Sequence, residues 1–345
     1  MRILVRLFVL CLALSAAPSF AAVVANLYQV REPVASQTPE ERDAALVRAF
    51  DTLVQRLTGD AGAAQSQALT GLRAEPQQVI SQYGYEGQEI VVDFDPATTE
   101  RSLRQAGLAL WGSNRPAILA WWLNNSLEGS SLVGDGQPSA DPLQRAAQHR
   151  GLPLRLPLAD LGEQLLGTSD NLTASQPDAS LLESVERYGA DALLAVDAHE
   201  QDGQWQASWQ LWLGDSREQG TVKAGDEQGL ADAVMLAVGE RLAPRFAASP
   251  SAASHLTLQV QGADLARYAE LSRLLEPFDA HLQLVEGDTL VFRVNASPEQ
   301  LRAQLSLARL EEMPAPQAQA PQDEPGVAQP APALVPRGDR LYFHW

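Results

Sequence analysis

The side chains able to carry a reaction are few and scattered. Gly214-Asp215-Ser216 begins like the nucleophile elbow of an esterase, which needs a serine held on a sharp strand-to-helix turn. Arg217 follows it, and no G-x-S-x-G is completed, so the triplet reads as turn chemistry. The histidines stand at 149, 199, 255, 281 and 344, never at the H-x-x-x-H interval that puts two ligands on one helix face, so no metal site is expected. His149 closes a helical segment, where a cation complements the dipole. Asp93-Phe94-Asp95 directs two carboxylates to one face of a strand. Such a pair offers two oxygen ligands to a divalent ion; the other reading is a solvated Asp93 and an Asp95 that caps the next helix. The stretch from Gly129 to Gly136 lacks the lysine of a phosphate loop, and no cofactor is expected.

The tryptophans supply one candidate binding residue. In WQASWQLWL (205–213), side-chain alternation puts Trp205 and Trp209 on one strand face. Trp212 falls on the other, with Gln206, Ser208 and Gln210. A tryptophan among polar neighbours suits a protein or glycan contact. The alternative is ordinary core, if helices cover both faces. Trp121-Trp122 point both ways, as in a central strand covered on two sides.

Compartment and charge bound the function. MRILVRLFVLCLALSAAPSFA (1–21) has Arg2 and Arg6, an apolar run and a small-x-small end at Ser19-Phe20-Ala21. It reads as a secretory signal cleaved after Ala21, and the expected location is the periplasm. The sole cysteine, Cys11, lies inside it after Leu10, which does not suit lipidation. The remaining chain then has neither thiol nor disulfide. The whole chain carries a net charge of −18, and losing Arg2 and Arg6 takes it to −20. Such a surface repels nucleic acid. No second apolar stretch is long enough for a transmembrane anchor.

The elements predict an α+β or α/β multidomain chain of small mixed sheets. Residues 22–114 read as a strand (23–30), a helix opened by the capping box Thr38-Pro39-Glu40-Glu41 and closed by Gly59, a weaker helix (76–83), a strand (88–95) and a helix begun at Asp95-Pro96. Residues 115–248 give a buried strand (116–124), a loop (125–140), a helix ending at Gly151, an edge strand (152–158), a helix (177–188), the strand DALLAVDAH (191–199), a turn at Asp202-Gly203, two more strands and a helix (230–246). Residues 254–310 follow a βαββα order, most of a ferredoxin-like unit. Residues 311–339 hold seven prolines and read as a linker. RLYFHW (340–345) has strand-forming residues, with Leu341, Phe343 and Trp345 on one face, and is expected to return and supply the missing strand.

Three segments carry a resemblance: LYQVREPVASQTPEERDAALVRAFDTLVQRLTG, GLALWGSNRPAILAWW and YGADALLAVDAHEQDGQWQASWQLW. Across most of 25–310 the chain resembles a proteobacterial exported family catalogued only as a domain of unknown function. The middle segment is similar in pattern to the amino-terminal module of TolB and to curli-secretion and penicillin-binding-protein activator lipoproteins. That resemblance implies a small α/β domain that binds other envelope proteins. The leading expectation is a non-enzymatic module whose partner is an envelope protein or peptidoglycan-associated component. The alternatives are a periplasmic hydrolase or glycan-binding protein using carboxylates and exposed Trp, and a folding or assembly factor.

Overall fold

A computed structural model describes residues 22–24, 26–127, 129–248, 254–314 and 340–345. The expected signal (1–21) and most of the Pro-rich stretch (315–339) lie outside the described residues.

The amino-terminal unit runs β1 (Ala22–Val23), β2 (Gln29–Pro33), α1 (Pro39–Thr58), α2 (Thr70–Ala74), β3 (Ile80–Glu86), β4 (Glu89–Phe94) and α3 (Pro96–Gln105). Thr38 caps α1 by accepting from the Glu41 amide, and Pro39 presets the first helical φ. The apolar stripe of α1, from Leu46 through Leu57, packs on the antiparallel sheet β2-β4-β3. Gly59 ends the helix at φ +68°, and a Cβ there would lie 2.1 Å from the Cβ of Ala243 in the next unit. Glycine is therefore required twice over, for the turn and for the close approach.

Two expectations for this unit fail. Residues 76–83 are not a helix: Pro76–Gln78 make one 3-10 turn and β3 follows. Ile80, Tyr83 and Tyr85 favour extended backbone, and pairing along β4 outweighs the weak helical pattern. The strand expected over 23–30 is broken by a turn in which Asn26 has φ +60°.

The middle unit comprises β5 (Asn114–Arg115), β6 (Ile118–Ser126), β7 (Gly129–Leu132), α4 (Asp141–Arg150), β8 (Leu154–Arg155), α5 (Leu161–Leu166), α6 (Ser169–Thr173), α7 (Ala179–Arg187), β9 (Ala192–Gln201), β10 (Gln204–Leu213), β11 (Ser216–Ala224) and α8 (Glu227–Phe246). β5 pairs with β1. The main sheet has the order β11-β10-β9-β6-β7, with β8 also beside β6. β6 and β9 are parallel, and β9, β10 and β11 form a meander. Asp202 (φ +55°) and Gly203 (φ +72°) make the left-handed pair that suits a tight hairpin. Trp122, Trp205 and Trp209 lie in one core with α4 and α8, whereas Trp121 lies in a second core on the opposite face. Part of the stretch expected as a loop (125–140) is strand β7. Its sequence, Gly-Ser-Ser-Leu, lacks apolar alternation because the strand is mostly exposed.

The last unit comprises β12 (Ser254–Gln261), α9 (Leu265–Leu275), β13 (His281–Glu286), β14 (Thr289–Ala296), α10 (Pro298–Leu307), β15 (Glu311–Glu312) and β16 (Arg340–His344). The order is β13-β14-β12-β16-β15. β16 pairs with β12, and Leu341 and Phe343 enter the core beneath α9 and α10. It runs parallel to β12, whereas β15 runs antiparallel to β16. β15 therefore has the direction of the last strand in a βαββαβ sheet, but β16 takes the place beside β12 and leaves β15 at the edge. The whole is a multidomain α+β fold with three mixed or antiparallel sheets besides the β1–β5 pair.

Candidate functional site

One face of the middle sheet is covered along its length by α4 and α8; the other is covered only in part. On that second face, cross-strand rows can be followed from β6 to β11. Leu119, Leu193, Trp212 and Arg217 form one row, and Trp121, Ala195, Gln210 and Gln219 the next. The Gln210 amide donates to the Leu172 carbonyl at 3.0 Å and so fastens the short helix α6 over this half. Trp212 is only 9% exposed and packs with Leu119, Leu181 and Leu193. It stands on the expected face but in the core, which is the second of the two readings of its sequence context. Its polar neighbours Gln206 and Ser208 lie beyond the helical cover.

Past α6 the rows turn polar: Leu123, Asp197, Ser208 and Thr221, then Asn125, His199, Gln206 and Lys223. His199, Gln206 and Lys223 are exposed. With Gln201, Asp202, Gln204, Trp205 and Ser208 they line a recess of about 650 Å³. The recess lies at the carboxyl ends of the parallel pair β6 and β9, where open α/β sheets commonly take ligands.

Asp197 organises the floor of this region. It is 4% exposed and accepts three hydrogen bonds. Oδ1 receives Asn125 Nδ2 at 2.8 Å and Ser169 Oγ at 2.9 Å, and Oδ2 pairs with His199 Nε2 at 2.8 Å. Ser130 Oγ donates in turn to Asn125 Oδ1 at 2.5 Å. Ser130 and Ser169 also line a second recess of about 430 Å³ on the far side of the network. A serine nucleophile needs its hydroxyl bonded to the base. Here Ser169 and His199 both turn to the same carboxylate, which holds each in place without linking them. Asp197 and His199 sit two apart at the end of the clearest strand in the sequence. That spacing puts them on one face, a signal available from alternation alone.

The remaining candidates have local roles. Asp95 accepts the Thr98 amide at 2.8 Å as a helix cap, and Thr98 holds its carboxyl below the usual range. Asp93 accepts Gln29 and Gln82 at 2.8 and 2.9 Å. Ser216 donates to the Leu213 carbonyl in the turn between β10 and β11. His149 lies in the last turn of α4 and pairs with Glu32 at 3.2 Å. Burial pushes the Glu32 carboxyl up, but bonds from His149 and Thr52 outweigh it and hold Glu32 below its ordinary value. Burial raises Asp191, whose Oδ2 accepts the Ala117 amide at 2.7 Å at the opposite end of the parallel pair. Among the described residues, no three His, Cys, Asp or Glu side chains are grouped to hold a metal ion, and no helix is long and apolar enough to cross a membrane.

No curated protein and no solved structure matches this chain. Residues 21–112, the amino-terminal unit, match a family described as a domain of unknown function, DUF8605.

Proposed function

We propose that the chain is exported to the periplasm and is a non-catalytic binding module for another cell-envelope component. The open half of the middle sheet is its contact surface. The observation that carries this is the abrupt change along one sheet face, from a packed core at Trp212 to exposed His199, Gln206 and Lys223. A face left uncovered by helices, lined with amides, a hydroxyl, an imidazole, the Asp202 carboxylate and the chain's one lysine, suits a polar partner with hydrogen-bonding groups. The Asp197 network supports binding over hydrolysis, because Ser169 and His199 are each bonded to the carboxylate and not to one another. Export rests on residues 1–21, and the envelope setting on the similarity of the middle segment to the amino-terminal module of TolB and related lipoproteins.

The test uses exposed positions, so that folding is spared. Immobilised protein carrying Lys223→Glu or Gln206→Arg is compared with the parent for recovery of partners from a periplasmic extract. Recovery should fall while the unfolding midpoint stays unchanged. Equal recovery by parent and variants would overturn the assignment of this face.

A further inference from the structure

Two arginines are buried where the amino-terminal and middle units meet, and they are satisfied very differently. Arg115 is fully buried and uses all five of its N–H groups on backbone carbonyls. Nε donates to Gly112, Nη1 to Arg150 and Gly151, and Nη2 to Arg56 and Trp111, at 2.7–3.2 Å. Its guanidinium also lies 4.2 Å from the centre of the Trp111 ring. Arg56 is 4% exposed. Nε donates to the His149 carbonyl at 3.1 Å, and Nη1 to those of Leu27 and Gln29 at 2.9 and 2.7 Å. Among the described residues nothing accepts from Arg56 Nη2. Nη2 is not one of the sealed, unpartnered atoms of the interior, so it keeps access to open space.

Arg56 lines a cavity of about 310 Å³ whose other walls include Val24, Asn26, Gln148, Leu152 and Leu154. Gly151 (φ +66°) keeps the cavity and the two arginines close. A Cβ there would stand 2.9 Å from Arg56 Cγ and 3.2 Å from Arg115 Nη1. Arg56, Arg115 and Arg150 gather at this junction. Asp232, Glu240 and Glu32 act on Arg150, whereas the one carboxylate that acts on Arg56, Glu32, is already bonded to Thr52 and His149. Burial first, and then a neighbouring guanidinium, pull the Arg56 and Arg115 groups down to about 10 and about 9. Both remain charged at neutral pH.

We propose that this cavity is a binding site for a small organic carboxylate, whose oxygen takes the free Nη2 hydrogens of Arg56. A carboxylate matches the planar guanidinium and would give this buried charge the direct carboxylate bond that its backbone partners do not supply. The Asn26 and Gln148 side chains supply further polar groups, and Val24, Leu152 and Leu154 suit a short aliphatic tail. The site is separate from the open sheet face and does not depend on it.

Replacing Arg56 itself risks the junction, so the test acts through Gln148, an exposed residue of α4 on the cavity wall. Thermal unfolding of the full chain is followed in chloride, acetate, butyrate and phosphate at one ionic strength. Butyrate should raise the midpoint saturably by several degrees, acetate by less, and phosphate little beyond chloride. Gln148→Glu brings a carboxylate to the cavity from within the chain. It should raise the midpoint in chloride and abolish the butyrate response. Equal midpoints in butyrate and chloride would overturn the site, as would a Gln148→Glu variant that responds like the parent. Phosphate acting as strongly as butyrate would overturn the choice of carboxylate.

Discussion

Trp212→Ala separates a core tryptophan from a contact residue. The indole sits between β9 and β11 on the covered half of the middle sheet, against Leu119, Leu181 and Leu193, with 9% of its surface exposed. An aromatic of this kind buries about 150–250 Å², which at about 25 cal/mol per Å² corresponds to about 4–6 kcal/mol. Measured truncations of buried aromatics to alanine cluster at about 3–5 kcal/mol, because alanine keeps part of the contact and the site relaxes only partly. Trp212→Ala should therefore cost about 4 kcal/mol, equivalent to a fall of roughly 10–20 °C in the midpoint of a unit this size. Trp212→Phe, which keeps a ring in the pocket, should lose less than half as much. Urea unfolding gives the magnitude, and hydrogen exchange over β9–β11 localises it to this sheet. A loss below about 1 kcal/mol would show that the indole is not packed and would refute the reasoning.

Further outcomes follow from other units. Gly59→Ala should cost at least about 1–2 kcal/mol for the left-handed backbone alone, with a further loss from Ala243 at 2.1 Å. Adding Ala243→Gly should restore the second part and not the first, which a double-mutant cycle reads directly. Phe343→Ala should cost about 3–5 kcal/mol and weaken hydrogen-exchange protection in β12, because Phe343 is 2% exposed in the core that β16 completes. Glu32 is held below its ordinary value of 4.5, so its contribution is present above that value and disappears as pH falls through the lower folded value. Glu32→Gln should accordingly flatten the acid limb of the stability curve below about pH 4.5, with little change in slope above it.

The elements with strong periodicity were legible from sequence: α1 with its Thr38 cap and Gly59 stop, the β9–β10 hairpin at Asp202-Gly203, and the aromatic face of β16. β3 is not legible because its few apolar residues also satisfy a weak helical spacing, and only pairing with β4 decides the matter. β7, α5 and α6 are short and partly exposed, so burial leaves little pattern in them. The direction of β16 is a tertiary result, since nothing in RLYFHW distinguishes parallel from antiparallel pairing. At the candidate site, Asp197 and His199 share a face by simple alternation. Asn125 and Ser169 reach Asp197 from 72 and 28 residues away, and no local spacing anticipates that. Trp212 has polar neighbours along its strand face, but the boundary of the helical cover runs between it and Gln206 and Ser208. That boundary is set by α6, a five-residue helix that Thr168 caps but that is too short to carry an apolar period.

The central claim is that the uncovered half of the middle sheet meets a partner in the envelope. Site-specific photo-crosslinking in living cells tests it most directly. A photoreactive residue replaces Gln206 on that face, or Arg101, an exposed position on α3, as the comparison. The expected result is a discrete adduct from position 206 that weakens when Lys223→Glu is added, with none from position 101. Absence of an adduct at 206, or an equal adduct at both positions, would contradict the claim.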